Sequence, residues 1–64
     1  MKLEMYQSVR LKTGERAVVI ERYNDGEAYE VDIRLKDDRY EQRTVYPYEI
    51  ASVFEEIERA FETA

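Results

Sequence analysis

The nine residues from 27 to 35 alternate strictly between apolar side chains and polar or small ones. A period of two is typical of a β-strand that turns one face towards a core and the other towards water. The turn-forming residues Asn24, Asp25 and Gly26 stand just before this segment. The pattern predicts a small antiparallel β-domain and carries no information about chemistry. Its apolar positions are Tyr29, Val31, Ile33 and Leu35.

The turn residues predict a hairpin between this strand and a preceding strand over residues 17–23. A three-residue loop with Gly26 in the left-handed region is a common hairpin form. It gives the pairs Tyr23–Glu27, Glu21–Tyr29, Val19–Val31 and Ala17–Ile33. A two-residue Asp25-Gly26 turn is the alternative, and it would set Glu21 opposite Glu30 and Val19 opposite Asp32. We expect the first register, because like charges directly opposed in a sheet are unfavourable.

A turn centred on Asp37 and Asp38 predicts a second hairpin, whose last strand ends at Tyr46 because Pro47 lacks an amide hydrogen. The expected inward pairs are Leu35–Tyr40, Ile33–Gln42, Val31–Thr44 and Tyr29–Tyr46. The expected outward pairs are Arg34–Glu41 and Asp32–Arg43. Opposite charges meet twice in this register, which favours it. A slip by one residue would turn every side chain of the last strand to the other face.

The ends of the chain complete the predicted elements. We expect a first strand from Tyr6 to Leu11, a turn at residues 12–15 with Gly14 at positive φ, and a short turn at residues 48–50. Ser52 and Glu55 fit a capping box. Apolar residues then recur at helical spacing, at Val53, Phe54, Ile57, Ala60 and Phe61. The pattern predicts a C-terminal amphipathic helix over 53–62. The alternative is a closing fifth strand over 51–54 with the helix starting one residue later.

Several short strands joined by tight turns are typical of an SH3-like barrel. The segment Tyr23–Ile33 resembles an uncharacterised bacterial family of short SH3-like proteins, which carry a Gly-Glu-Ala-Tyr-Glu-Val-Glu-Phe-like strand after a tight turn. Residues 9–11 match the family's opening Val-x-Leu strand, and Pro47 matches its proline after the fourth strand. The resemblance covers roughly residues 8–50. The chain differs from the family at Ala17, where glycine is usual, and in the predicted helix, which extends past the usual end of the family. It implies no catalytic residues.

The expected fold is therefore mainly β: a small SH3-like antiparallel barrel of four to five strands over about residues 5–52, with the C-terminal amphipathic helix over about 53–62. The 64 residues form one domain close to the lower size limit for a single core. The chain contains no Cys and no His, so hydrophobic packing has to stabilise it without disulfides or zinc.

The composition leaves little room for catalysis. Without Cys or His, nucleophiles and bases reduce to carboxylates, Lys, Ser, Thr and Tyr, and neither Ser8 nor Ser52 has an adjacent base. Gly14 and Gly26 are isolated, so no phosphate-binding loop is present. Asp37 and Asp38 lack the spaced ligand set of a calcium loop. We expect no enzymatic activity, no cofactor and no metal.

The net charge of −5 is concentrated near the C-terminus. Residues 1–46 carry nine Lys/Arg and ten Asp/Glu, whereas residues 47–64 carry Arg59 against five glutamates, a net of −4. A protein of this charge lacks the basic footprint of a nucleic-acid binder. No segment reaches the roughly 20 apolar residues of a membrane span, and no signal peptide is present. We expect a cytoplasmic protein.

The candidate binding residues are the peripheral tyrosines and the acidic residues of the helix. Tyrosine combines apolar area with a polar tip and is enriched in recognition patches, although it also covers the edges of small cores. The tyrosines are Tyr6, Tyr23, Tyr40 and Tyr48, and the glutamates are Glu55, Glu56, Glu58 and Glu62.

Three functions follow as hypotheses. The first is a non-enzymatic module that binds another protein. The second is an acidic inhibitor from a phage or mobile element, whose glutamates block the nucleic-acid-binding surface of a defence protein. The third is weak nucleic-acid binding by the barrel through Arg10, Lys12, Arg34 and Arg43. The apolar side of the helix is expected to cover its own barrel, and the alternative is a homodimer formed through it.

Overall fold

The computed structural model describes the backbone of residues 3–57 and the side chains of residues 3–54. These residues form one antiparallel sheet of five strands and one short 3₁₀ turn. The strands are β1 (Gln7–Leu11), β2 (Arg16–Tyr23), β3 (Ala28–Arg34), β4 (Tyr40–Val45) and β5 (Ile50–Ile57), and the 3₁₀ turn spans Pro47–Glu49. The order across the sheet is β4-β3-β2-β1-β5. The prediction of a mainly β protein with tight turns is confirmed.

All five strands bury side chains in a single core. The interior strand β3 contributes Tyr29, Val31 and Ile33, and each of them is fully buried. This confirms the alternation in the sequence, because successive residues of a strand point to opposite faces. The other members of the core are Leu3, Val9, Leu11, Ala17, Val19, Val45 and Ile50.

The prediction of a closed barrel is wrong. β4 and β5 lie at opposite ends of the strand order, and neither pairs with the other within residues 3–57. β4 stops at Val45, two residues before Pro47, which lacks the amide hydrogen that an extended ladder would need. The 3₁₀ turn then leads the chain across to β1, with which β5 pairs. The sheet is therefore open between its two edge strands.

The predicted register of the second hairpin is wrong by one residue. The structure pairs Tyr29 with Val45 and Arg34 with Tyr40. The loop explains the difference, because Leu35 N–H donates to the Arg39 carbonyl at 2.8 Å and Asp38 adopts a φ of 64°. This is a three-residue loop with its last residue in the left-handed region, which aspartate tolerates better than most residues.

The shift inverts the side chains of β4. Val45 is fully buried, whereas Tyr46 is 46% exposed and Tyr40 is exposed as well. Arg43, which was expected to face Asp32 on the outside, lies opposite Val31 on the inner face of the sheet. The outward charge pairs of the predicted register do not form.

The first hairpin confirms the preferred register only for the half that lies farther from the turn. Val19 pairs with Val31, and Ala17 pairs with Ile33. Beyond Val19 the register shifts, so that Glu21 lies opposite Glu30, the pairing that charge repulsion was expected to prevent. A β-bulge inserts one unpaired residue into a strand. Here the strands follow the preferred register up to Val19 and the alternative register from Glu21 towards the turn.

The first strands match the prediction within one residue at their ends. Gly14 has the expected positive φ of 95° in the turn between β1 and β2. The 3₁₀ turn at Pro47–Glu49 and the strand that follows it also agree with the short turn expected after the fourth strand.

The prediction of a helix is wrong from Val53 to Ile57, because these residues belong to β5. Val53 pairs with Val9, and Ser52 pairs with Arg10 instead of capping a helix. Without β5, the edge of β1 that faces away from β2 would have no strand to pair with its backbone N–H and C=O groups. Forming these hydrogen bonds outweighs a local helical pattern. The alternative is right in placing a strand over 51–54, but this strand does not close a barrel, and the helix start one residue later is wrong because β5 continues to Ile57. Residues 58–62 of the predicted helix lie outside the described residues.

The N-terminal segment is joined to the core through the largest buried side chain. Leu3 is only 2% exposed, and its N–H donates to the Tyr29 hydroxyl at 3.0 Å. Arg22 donates to the Leu3 carbonyl at 3.3 Å. These two bonds place residue 3 over one end of the sheet.

We expect Tyr29→Phe to destabilise the protein by about 1–3 kcal/mol, because it leaves the buried Leu3 N–H without its acceptor. A loss of about 1 kcal/mol should lower the melting temperature by about 4–8 °C in a domain of this size. Thermal unfolding followed by circular dichroism measures the change. Tyr48→Phe is the matched control, because it removes an exposed hydroxyl and should melt like the parent. Equal melting of both variants would show that the Leu3–Tyr29 bond contributes nothing.

Candidate functional site

Two of the predicted tyrosines lie far apart. Tyr23 ends β2 opposite Ala28, and Tyr40 begins β4 opposite Arg34. Their partners are six residues apart on β3, which corresponds to roughly 20 Å at the usual rise of a strand. Tyr6 lies in the turn before β1 and is partly buried. These three tyrosines therefore do not form one binding patch.

Tyr48 does have an aromatic neighbour. Its ring stacks on that of Tyr46, with centroids 5.8 Å apart and planes only 2° from parallel. Tyr48 is 69% exposed and Tyr46 is 46% exposed, so most of this aromatic area faces solvent. The sequence did not suggest Tyr46 as a binding residue, because the expected register placed it against Tyr29. We refer to Tyr46 and Tyr48 as the tyrosine pair.

The 3₁₀ turn holds the tyrosine pair in place. Pro47 separates the two tyrosines and fixes its own φ. Tyr46 N–H donates to the Glu49 carboxylate at 2.8 Å, and Glu49 N–H donates back to the Tyr46 carbonyl at 2.9 Å. Lys12 N–H donates to the Glu49 carbonyl at 2.8 Å, which joins this turn to the turn between β1 and β2. The rings are thus presented on hydrogen-bonded backbone.

A shallow groove of about 240 Å³ lies beside Tyr48. Most of its exposed lining is apolar, and charged groups of both signs stand at its rim. We call it the tyrosine groove. It is lined by Leu11, Lys12, Thr13, Arg43, Tyr48 and Glu49.

Arg43 is held by carboxylates of its own chain. It donates to Glu15 at 3.0 Å and to Glu41 at 2.7 Å, and Thr13 donates to Glu15 at 2.7 Å. The hydrogen bond from Thr13, followed by that from Arg43, lowers the pKa of the Glu15 carboxyl. The hydrogen bond to Glu41, followed by that to Glu15, raises the pKa of the Arg43 guanidinium. Lys12 is therefore the cation of the tyrosine groove that is better placed to meet a ligand.

The acidic candidate residues do not form the expected helix face. Glu55 and Glu56 lie in the strand β5. Their side chains, and the whole of Glu58 and Glu62, lie outside the described part of the structure. The acidic helix on which the inhibitor hypothesis depends is absent over residues 53–57.

The described residues add two observations on metals and membranes. Among residues 3–54, whose side chains are described, no group of three or more acidic side chains is arranged to hold a metal ion. Asp37 instead accepts a hydrogen bond from Arg39 at 2.9 Å within its turn. Within residues 3–57, no helix has the length and apolar character that crossing a membrane requires.

No family model matches the chain, and neither do any curated proteins or solved structures. The resemblance of residues 8–50 to short SH3-like bacterial proteins therefore stays a prediction.

Proposed function

We propose that this protein is a non-enzymatic, SH3-like module that binds another protein through the tyrosine pair and the tyrosine groove. The observation that carries the proposal is the exposed, stacked pair of Tyr46 and Tyr48 on a hydrogen-bonded turn. Aromatic side chains are enriched in protein interfaces and supply much of their binding energy. Neither ring belongs to the hydrophobic core, so core packing does not explain why two large aromatic side chains lie at this surface position.

The form of the site favours a partner with one anchoring side chain. A groove of about 240 Å³ can accept a single apolar side chain of a peptide or loop. Tyrosine loses little conformational entropy on binding, because only two torsion angles need to be fixed. Lys12 and Glu49 at the rim can select the polar groups that flank the anchor. This arrangement suits recognition of a short segment better than a flat interface.

The experiment is capture of a partner by the tagged protein from a nuclease-treated bacterial lysate, followed by affinity measurement with the purified partner. We expect Tyr48→Ser to weaken that affinity by at least about tenfold, the effect of losing one well-placed aromatic anchor. Tyr46→Ser should weaken it as well, through loss of the stacked neighbour. Isothermal titration calorimetry gives the affinities.

Tyr40→Ser is the matched control, because it removes an exposed tyrosine at the opposite end of β4, six residues before Tyr46 and roughly 20 Å from it at the usual rise of a strand. It should bind the partner as the parent does. Equal affinity of the Tyr48 and Tyr40 variants would contradict the proposed site. Capture that disappears on nuclease treatment would contradict the proposed class of partner.

A further inference from the structure

The outer face of the sheet gathers three arginines in this acidic protein. Arg10 on β1 and Arg16 on β2 are directly opposite partners in the antiparallel pair. Arg34 lies on the neighbouring strand β3, next to the buried Ile33 and on the opposite face from it. All three arginines are exposed.

Aromatic rings position these guanidinium groups. The Arg16 guanidinium carbon lies 4.4 Å from the centroid of Phe54, and that of Arg10 lies 5.8 Å from the same centroid. Arg34 lies 5.8 Å from the Tyr40 ring and donates to its hydroxyl at 3.2 Å. We call these five residues the arginine face. Cation–π contacts of this kind hold guanidinium groups in defined positions.

The pairing of Arg10 with Arg16 is unfavourable for the fold itself. Like charges directly opposite in a sheet are destabilising. Neither guanidinium forms an ion pair with a carboxylate among the side chains of residues 3–54. Arg10 instead donates to the Gly14 carbonyl at 3.0 Å, which orients it while its charge remains. An anion bound between the two arginines would remove the repulsion.

A depression of about 140 Å³ adjoins Arg16 and Arg34 on this face. The depression is also lined by Ala17, by the buried Val18 and by Asp32. It has room for one small side chain. Most of its exposed lining is polar, so the site combines cationic groups that bind oxyanions with a small polar depression.

We infer that the arginine face binds an acidic segment of a protein, with glutamate or aspartate carboxylates at Arg10 and Arg16. The planar guanidinium matches a carboxylate in two parallel hydrogen bonds. Single-stranded nucleic acid fits less well, because both aromatic rings already carry guanidinium groups and leave no open platform for a base.

This site goes beyond the proposed function and uses none of the residues of the tyrosine groove, so either proposal can fail alone. The sequence had suggested that Arg34 is neutralised by Glu41. In the structure Arg34 lies opposite Tyr40, and Glu41 points to the inner face with Arg43. The corrected register brings Tyr40 to Arg34, whereas the pairing of β1 with β2 and with β5 brings Arg10, Arg16 and Phe54 together.

The test is fluorescence anisotropy of a labelled oligoglutamate peptide titrated with the full chain at low ionic strength. We expect saturable binding that weakens as salt is added. Arg16→Gln and Arg10→Gln should each weaken it by at least about tenfold, because each removes a charge-assisted hydrogen-bonding partner. Arg10→Lys should restore part of the affinity, since it returns the charge without the planar fork.

Arg39→Gln is the matched control, because Arg39 is an exposed arginine in a turn and pairs with Asp37 at 2.7 Å. It should bind the peptide as the parent does, and so should Tyr48→Ser. Arg16→Gln should melt like the parent, since it relieves a like-charge pair while losing one cation–π contact. No binding by the parent, equal losses in the Arg39 and Arg16 variants, or tighter binding of an oligothymidylate of equal charge would each overturn the inference.

Discussion

Val19→Asp is expected to abolish folding. Val19 is fully buried on β2 opposite Val31, which is fully buried as well. An unpaired carboxylate at this position would lose its hydration, at a cost of several kcal/mol even after relaxation. That cost is comparable with the whole stability of a 64-residue domain, roughly 3–10 kcal/mol on the usual scale per residue. Loss of amide dispersion in a two-dimensional NMR spectrum would show it.

Val19 is a better position for this substitution than the equally buried Val31, because of what lies opposite Val31 in the corrected register. Arg43 lies directly opposite Val31 and could turn to neutralise an aspartate placed there. Ser52→Asp is the control, because Ser52 is exposed and paired with Arg10, so the new charge meets an opposite one. A Val19→Asp variant that melts like the parent would show that the core has been assigned to the wrong face of β2.

Val45→Asp should unfold the protein, whereas Tyr46→Asp should leave it folded. Val45 is fully buried opposite Tyr29, and Tyr46 is exposed. The two positions are adjacent, so the pair differs only in which side chain faces the core. In the register expected from charge pairing, the order of the two effects would be reversed. Urea unfolding followed by circular dichroism ranks the variants, and a less stable Tyr46→Asp would contradict the structure.

The sequence predicted β3 well because apolar and polar residues alternate without interruption along this interior strand, and its apolar face is buried. It failed for β4 because Val45 and Tyr46 are adjacent and both can be buried, so their pattern suits two registers. Cross-strand charge pairs contribute only about 0.2–1 kcal/mol each. The left-handed conformation of Asp38 and the burial of Val45 outweigh them.

The C-terminal helix was a reasonable local prediction. Ser52 and Glu55 form a capping-box pattern, and the apolar residues after them have helical spacing. What the local pattern does not contain is the open edge of β1, more than 40 residues earlier in the chain. Residues 50–57 form a strand because they pair with that edge, and this pairing can be predicted only when the whole sheet is considered.

The surfaces proposed for binding were only partly predictable. Tyr48 was recognisable as a loop tyrosine, but its stacking partner Tyr46 depends on the register of β4. Arg10 and Arg16 lie three residues on either side of Thr13, so a register for that hairpin would have placed them opposite each other. Phe54 joins them only because β5 is a strand.

The register of β3 and β4 is the structural claim on which the tyrosine pair and the contact between Arg34 and Tyr40 depend. It exposes Tyr46, places Arg34 beside Tyr40 and turns Arg43 inwards. The bond from Leu35 N–H to the Arg39 carbonyl marks that pair as hydrogen-bonded, so the pairs offset by one residue have closely spaced Cα atoms.

The most direct measurement is therefore the pattern of Hα–Hα nuclear Overhauser effects between these strands in the full chain. The structure predicts strong cross-peaks between Asp32 and Gln42 and between Arg34 and Tyr40. Cross-peaks from Ile33 to Gln42 and from Leu35 to Tyr40 would contradict it, because these are the closely spaced pairs of the register with a two-residue turn. That register would return Tyr46 to the core side, break up the tyrosine pair and separate Arg34 from Tyr40.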